Sequence, residues 1–189
     1  HTAYRRQRQM CIRDSITGVF FVAALVGCVV WSEMAFALFF ALIAGLGVWE
    51  FSVNVNRHAG AAVNPFIASM AAVVLVLTVG RCCSMQVNYA LFLPFVGTLL
   101  YLLISELYRK AENPLKNWAY AFAAQLYVAL PLSMISLLAY HLDAENGLVV
   151  FDWFLPLSVF IFLWSSDSGA YLFGSALSRY FPAKLFPRV

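Results

Sequence analysis

The chain has 189 residues, 63% hydrophobic and 11% charged, with a net charge of +3 and a mean hydropathy of +0.81. A soluble domain carries roughly 25% charged residues, and a soluble fold of this length could not hide so much apolar surface, so the composition points to a lipid bilayer. The basic residues are spread among the polar connections and form no stripe, which argues against a nucleic-acid partner.

Residues 1–14 differ from the rest. They hold Arg5, Arg6, Arg8 and Arg13 with no apolar period, and the run RRQRQMCIRDS resembles translated adapter sequence. This stretch is read as non-native or disordered and set aside from the fold. Residues 15–189 form one transmembrane region. Inside lipid every backbone polar group needs an internal partner, so spans are helices or a closed barrel. Barrel strands alternate apolar and polar residues, and the runs here do not.

Six apolar segments follow in order, at 16–31, 34–51, 66–80, 87–105, 118–140 and 149–173. A crossing helix needs about 20 residues, so the first and third are short. Ser32-Glu33 separates the first two. Trp31, Trp49, Trp118 and Trp153 lie near segment ends, where aromatic belts belong. Pro131 predicts a kink within the fifth. With the N-terminus inside, the inner connections carry Arg57, Arg109, Lys110, Lys116, Arg179, Lys184 and Arg188, against Arg81 alone outside. Under the positive-inside rule this gives an all-α polytopic membrane protein of about six transmembrane helices with both ends cytoplasmic.

Within that layout Asp167 stands out. It lies in Trp164-Ser165-Ser166-Asp167-Ser168-Gly169-Ala170-Tyr171, inside the last segment and on its cytoplasmic half. Ended at Phe173, the segment puts it about 9 Å of helix rise from the inner end. A charge at the centre of a membrane helix costs roughly 2.5–3.5 kcal/mol, so such a residue faces a cavity or a partner. Either a functional site or a small-residue helix contact satisfies that requirement. Glu50 and Glu106 end the second and fourth segments and read as interfacial anchors that reach water. Carboxylates collected at one face suit a hard divalent cation such as Mg²⁺ and a phosphorylated substrate. No Gly-rich phosphate loop is present. His58 and His141 fall in connections outside any ligand pattern, and Cys11, Cys28, Cys82 and Cys83 have neither zinc nor redox-motif spacing.

The run from Phe162 to Val189 resembles the segment that precedes the signature of the phosphatidate cytidylyltransferases, the CDP-diacylglycerol synthase family. Trp164, Asp167, Ser168, Gly169, Ala170, Tyr171 and Gly174 match its W-x-x-D-[ST]-G-A-Y-x-x-G stretch, and Pro187-Arg188-Val189 looks like the opening of the next one. GVWEF at residues 47–51 and ELYRKAENPLKN at 106–117 are similar to bacterial members. The resemblance covers residues 15–189 and stops where the family's Ser-Pro-Lys-Lys would come. It implies an N-terminal part of an enzyme that is inactive alone.

The implied reaction is CTP plus phosphatidic acid giving CDP-diacylglycerol and pyrophosphate, in phospholipid biosynthesis at the bacterial inner membrane. The resemblance implies Asp167 as catalytic residue and Mg²⁺ ligand, Ser168 as its catalytic neighbour, and Gly169, Tyr171 and Arg188 at the substrates. The site would open toward the cytoplasm, where CTP is, and sideways to membrane lipid. Small residues such as those at 169–175 permit a homodimer. A transporter or channel fragment with Asp167 lining a polar path, a CTP-dependent lipid kinase and a non-catalytic scaffold are the competing readings.

Overall fold

The computed structural model describes residues 18–84, 88–109, 112–145 and 147–180, and of 175–180 the backbone alone. Residues 1–14 lie outside the described residues. Helix α1 (Gly18–Trp31) leads directly into α2 (Glu33–His58), with Ser32 between them as the N-cap. The Ser32 hydroxyl accepts from Ala35 N–H at 3.1 Å, so the polar residue that separates two apolar runs also starts the second helix. Helix α3 (Pro65–Ser84) follows. A 3₁₀ turn at Tyr89–Phe92 opens α4 (Leu93–Tyr108). Then come α5 (Pro114–Ala124), a π turn at Gln125–Ala129 and α6 (Leu130–Ala139). A hairpin of β1 (Tyr140–Leu142) and β2 (Val149–Phe151) precedes α7 (Phe154–Tyr180).

Among the described residues, four helical stretches are long and apolar enough to cross a membrane: Glu33–His58, Pro65–Ser84, Tyr89–Tyr108 and Pro114–Ala139. Helix α1 is shorter. Helix α7 has 27 residues, but Ser165-Ser166-Asp167-Ser168 interrupts its apolar run. The architecture is that of an all-α membrane protein with one small hairpin.

Helix α2 shows why lipid is needed. Phe36, Phe40, Ala44 and Val48 recur every fourth residue and are buried, while Leu38, Leu42 and Leu46 repeat at the same interval and remain exposed. A helix apolar on both its packed and its outward face belongs in a bilayer rather than in water. The packed face meets Ala68, Ala72, Leu75 and Val76 of α3. Small residues let the two backbones approach closely. A Cβ placed on Gly45 would stand 2.8 Å from Val73 Cγ2, and one on Gly47 would stand 3.0 Å from Val128 Cγ1 in the π turn. Close approach through small residues is the usual substitute for a hydrophobic driving force between membrane helices.

Three sequence expectations shift. The irregularity ascribed to Pro131 is a π turn one turn earlier, closed by Leu130 N–H donating to Gln125 O. A proline ring collides with the carbonyl four residues back and leaves it without a donor, and the wider turn accommodates both effects. The turn also carries Gln125, whose Nε2 donates across to Ala68 O of α3 at 2.8 Å. Next, Val149–Phe151 is not the start of the last span. It pairs antiparallel with Tyr140–Leu142, Tyr140 facing Phe151, around a turn in which Gly147 takes φ +64°. Short apolar runs of β-branched residues satisfy either a strand or a helix, and here the pairing partner decides. Last, α7 runs on to Tyr180, because the first proline after Pro156 is Pro182.

The helix ends gather into two groups. Glu33, Arg81, Ser84 and Tyr140 line one cavity. At the other end Ala62, Glu106, Arg109 and Asn117 are hydrogen-bonded together. Arg109 and Lys116 thus lie at the opposite end from Arg81, the segregation the positive-inside argument used.

Candidate functional site

Helix α7 carries the sequence-predicted residues, and its start is fixed by Asp152. The Asp152 carboxylate accepts from Phe154 N–H at 2.8 Å, and Asp152 N–H donates to Ala139 O at 2.7 Å. This side-chain cap ties the first turn of α7 to the last residue of α6. From there Pro156, Phe160 and Trp164 form a stripe at four-residue spacing. Pro156 is fully buried. Phe160 stacks on Phe40 of α2 at 5.9 Å between ring centroids, and lies 6.3 Å from Trp164.

Asp167 follows three residues after Trp164 and Tyr171 seven after, so both continue the stripe that docks α7 on the core. Past Trp164 that stripe has left the core. Asp167 and Ser168 are exposed and Gly169 is half-buried, while Tyr171 is 76% exposed. Asp167 stands thirteen residues from Phe154 and thirteen from Tyr180, about 20 Å of rise from either end. It therefore sits midway along the helix rather than a turn and a half from its inner end, because the helix outlasts the apolar run. Ser165 is exposed as well, and its hydroxyl turns back on the helix to donate to Ile161 O at 2.7 Å. A Cβ on Gly169 would meet nothing within 4 Å, so this position leaves room beside the carboxylate. Arg188 lies outside the described residues.

The expected gathering of carboxylates does not occur. Among the described residues no three His, Cys, Asp or Glu side chains form a group able to hold a metal ion. Asp167 offers a single carboxylate. That fits the binding mode of Mg²⁺, which keeps water and takes one or two carboxylates together with substrate phosphates. Glu50 is exposed within α2, eight residues before its end.

Glu106 is not an interfacial anchor but 5% exposed. Its carboxylate accepts from Asn117 Nδ2 across the α4–α5 connection and lies 3.5 Å from Arg109 Nη1. Asn117 Oδ1 accepts from Ala62 N–H at 2.7 Å, and Arg109 Nη1 donates to Ala62 O at 2.9 Å. One turn away, Asn56 closes both backbone groups of Val63 with its side-chain amide, at 2.8 and 2.9 Å. The α2–α3 connection is thus held from three sides. A buried carboxylate is tolerated because two donors meet it and the cation beside it is itself fixed. Asn117 is the member that sequence reading passed over. Its signal was an amide just ahead of Trp118, at the entry of an apolar run.

Comparison with known proteins agrees with the motif on α7. The sequence profile described as the cytidylyltransferase family matches residues 13–189. A phosphatidate cytidylyltransferase from Haemophilus influenzae is 28% identical over 187 residues, covering 90% of this chain and 61% of the relative. The chain thus spans about three-fifths of that relative's length. No solved structure matches. With the profile covering nearly all of its length, the chain belongs to the cytidylyltransferase family.

Proposed function

We propose that this chain contributes to the transfer of a cytidylyl group from CTP to phosphatidic acid, giving CDP-diacylglycerol and pyrophosphate. The observation that carries the reading is the Trp164–Tyr171 motif, set on a helix whose docking stripe leads a carboxylate into an open polar face. A phosphate oxygen of the lipid attacks the α-phosphorus of CTP in line. The bond from that phosphorus to the bridging oxygen breaks, and pyrophosphate leaves. Both reactants are anionic, so the site must neutralise charge and hold them close. Bound Mg²⁺ supplies that neutralisation in phosphoryl-type transfer.

Asp167 is the residue of this chain that would hold the ion. Ser168 presents a hydroxyl beside it, Gly169 leaves space for a phosphate, Tyr171 borders the substrate one turn on, and Arg188 is assigned to phosphate. The site faces the cytoplasmic side of a bacterial inner membrane, with both chain ends on that side and α1 and α7 completing six spans. The chain spans about three-fifths of the relative's length, so the whole transfer is assigned to a protein of that length.

The test follows label from α-labelled CTP and labelled phosphatidic acid. A protein of the relative's length that carries these residues is expected to form CDP-diacylglycerol and pyrophosphate. Formation of CDP with a phosphorylated lipid alcohol would identify a kinase instead. Substrate flux without CTP turnover would identify a transporter.

A further inference from the structure

The end of the helical layer opposite the Glu106 cluster holds a cavity of about 210 Å³ that the cytidylyl-transfer reading does not use. It lies between the first turn of α2 and the last turn of α3, with Tyr140 of the hairpin at its edge. Its walls include Leu38 and Leu77, and Leu38 faces outward. The cavity therefore continues into the lipid-facing surface. Its polar groups come from opposite sides: Glu33 from α2, and Arg81 with Ser84 from α3. Glu33 and Arg81 form no ion pair with each other, since the ion pair found among the described residues is Glu106–Arg109. Glu33 is not needed to cap its helix, because Ser32 does that.

Two opposite charges that share a cavity without pairing present a complementary pattern to a zwitterion. The position restricts the candidates. The cavity sits where α2 and α3 end, with Trp31 and Tyr140 at the same level, and tryptophan and tyrosine mark headgroup depth in a bilayer. Its volume equals about seven water-sized groups at roughly 30 Å³ each. That matches a phosphate ester bearing a short aminoalkyl arm, with acyl chains left outside along Leu38 and Leu77.

We infer that this groove binds a zwitterionic aminophospholipid, its phosphodiester at Arg81 and its primary ammonium at Glu33. Tyr140 borders the groove together with Glu33. A quaternary ammonium has no N–H to donate, and a glycerol headgroup has no cation, so phosphatidylcholine and phosphatidylglycerol each lose one of the two contacts.

The test uses a purified protein of the relative's length that carries these residues, in detergent with equimolar phosphatidylethanolamine, phosphatidylcholine and phosphatidylglycerol, read as retained lipid by native mass spectrometry. Phosphatidylethanolamine is expected to be retained about tenfold over either competitor. E33Q and R81Q are expected to abolish that preference. L77W, which fills the groove without touching a charge, is expected to abolish retention of the lipid. K116Q at the far end is expected to change nothing. Circular dichroism of each variant reports whether it has folded. Equal retention of the three lipids overturns the inference, as does a preference that survives E33Q and R81Q. Retention of phosphatidylglycerol above phosphatidylethanolamine, lost in R81Q alone, would also overturn it by making the groove an anion site.

Discussion

Asn117 at the start of α5 joins Glu106 near the end of α4, its Nδ2 donating to the buried carboxylate while its Oδ1 takes the Ala62 N–H. One side chain thereby satisfies a buried charge and a backbone donor of a different connection. Replacing Asn117 with Leu leaves the Ala62 N–H unmet and the carboxylate with Arg109 alone. The expected cost is about 2–3 kcal/mol, the range for leaving buried polar groups without a partner. Thermal unfolding in detergent measures it. Glu106→Gln, which keeps the shape and can still accept from Asn117, is expected to cost less than half as much.

Gly45 sets the spacing of α2 and α3. A leucine there meets Val73 Cγ2, which is already 2.8 Å from the position of a Cβ. Val73 is β-branched and cannot swing clear. Gly45→Leu is expected to destabilise the protein by about 2–3 kcal/mol through overpacking. Gly27→Leu in α1, where a Cβ meets nothing within 4 Å, is expected to stay within about 0.5 kcal/mol. Equal melting temperatures for the two variants would contradict this account of the α2–α3 contact.

Tyr140 in β1 is pushed up to about 12, first by burial and then by the Glu33 carboxylate and the Cys83 thiol, with Arg81 acting in the opposite sense. A folded-state pKa held above the ordinary value near 10 means that the neutral phenol stabilises the fold. That contribution is complete below about pH 10 and is lost as the pH rises through about 12. Tyr140→Phe is expected to flatten the decline of melting temperature over that alkaline window. It is also expected to remove a component near pH 12 from the ultraviolet tyrosinate titration.

Much of this was legible in the sequence, for physical reasons. Long apolar runs fix α2 to α6 because a bilayer demands length and apolarity, and Ser32-Glu33 marks a boundary because a hydroxyl there caps a helix. Asp167 was legible as a charge inside an apolar run. Val149–Phe151 was not, because three apolar residues carry no period and only the partner Tyr140–Leu142 makes them a strand. Nor was Glu106. Its burial depends on Ala62 and Asn117 folding over it, and no local pattern encodes that contact. The π turn required knowing that Gln125 reaches Ala68 across a helix interface.

The central claim is that the Asp167 carboxylate serves cytidylyl transfer, and Asp167→Asn tests it most directly. The measurement is the rate of CDP-diacylglycerol formation by a protein of the relative's length carrying the substitution, with its melting temperature taken in parallel. The account predicts a fall of about a hundredfold or more, the scale for losing a group that stabilises transition-state charge. Because Asp167 is exposed on α7, it also predicts a melting temperature close to that of the unaltered protein. Turnover at the unaltered rate in a folded Asp167→Asn protein would contradict it.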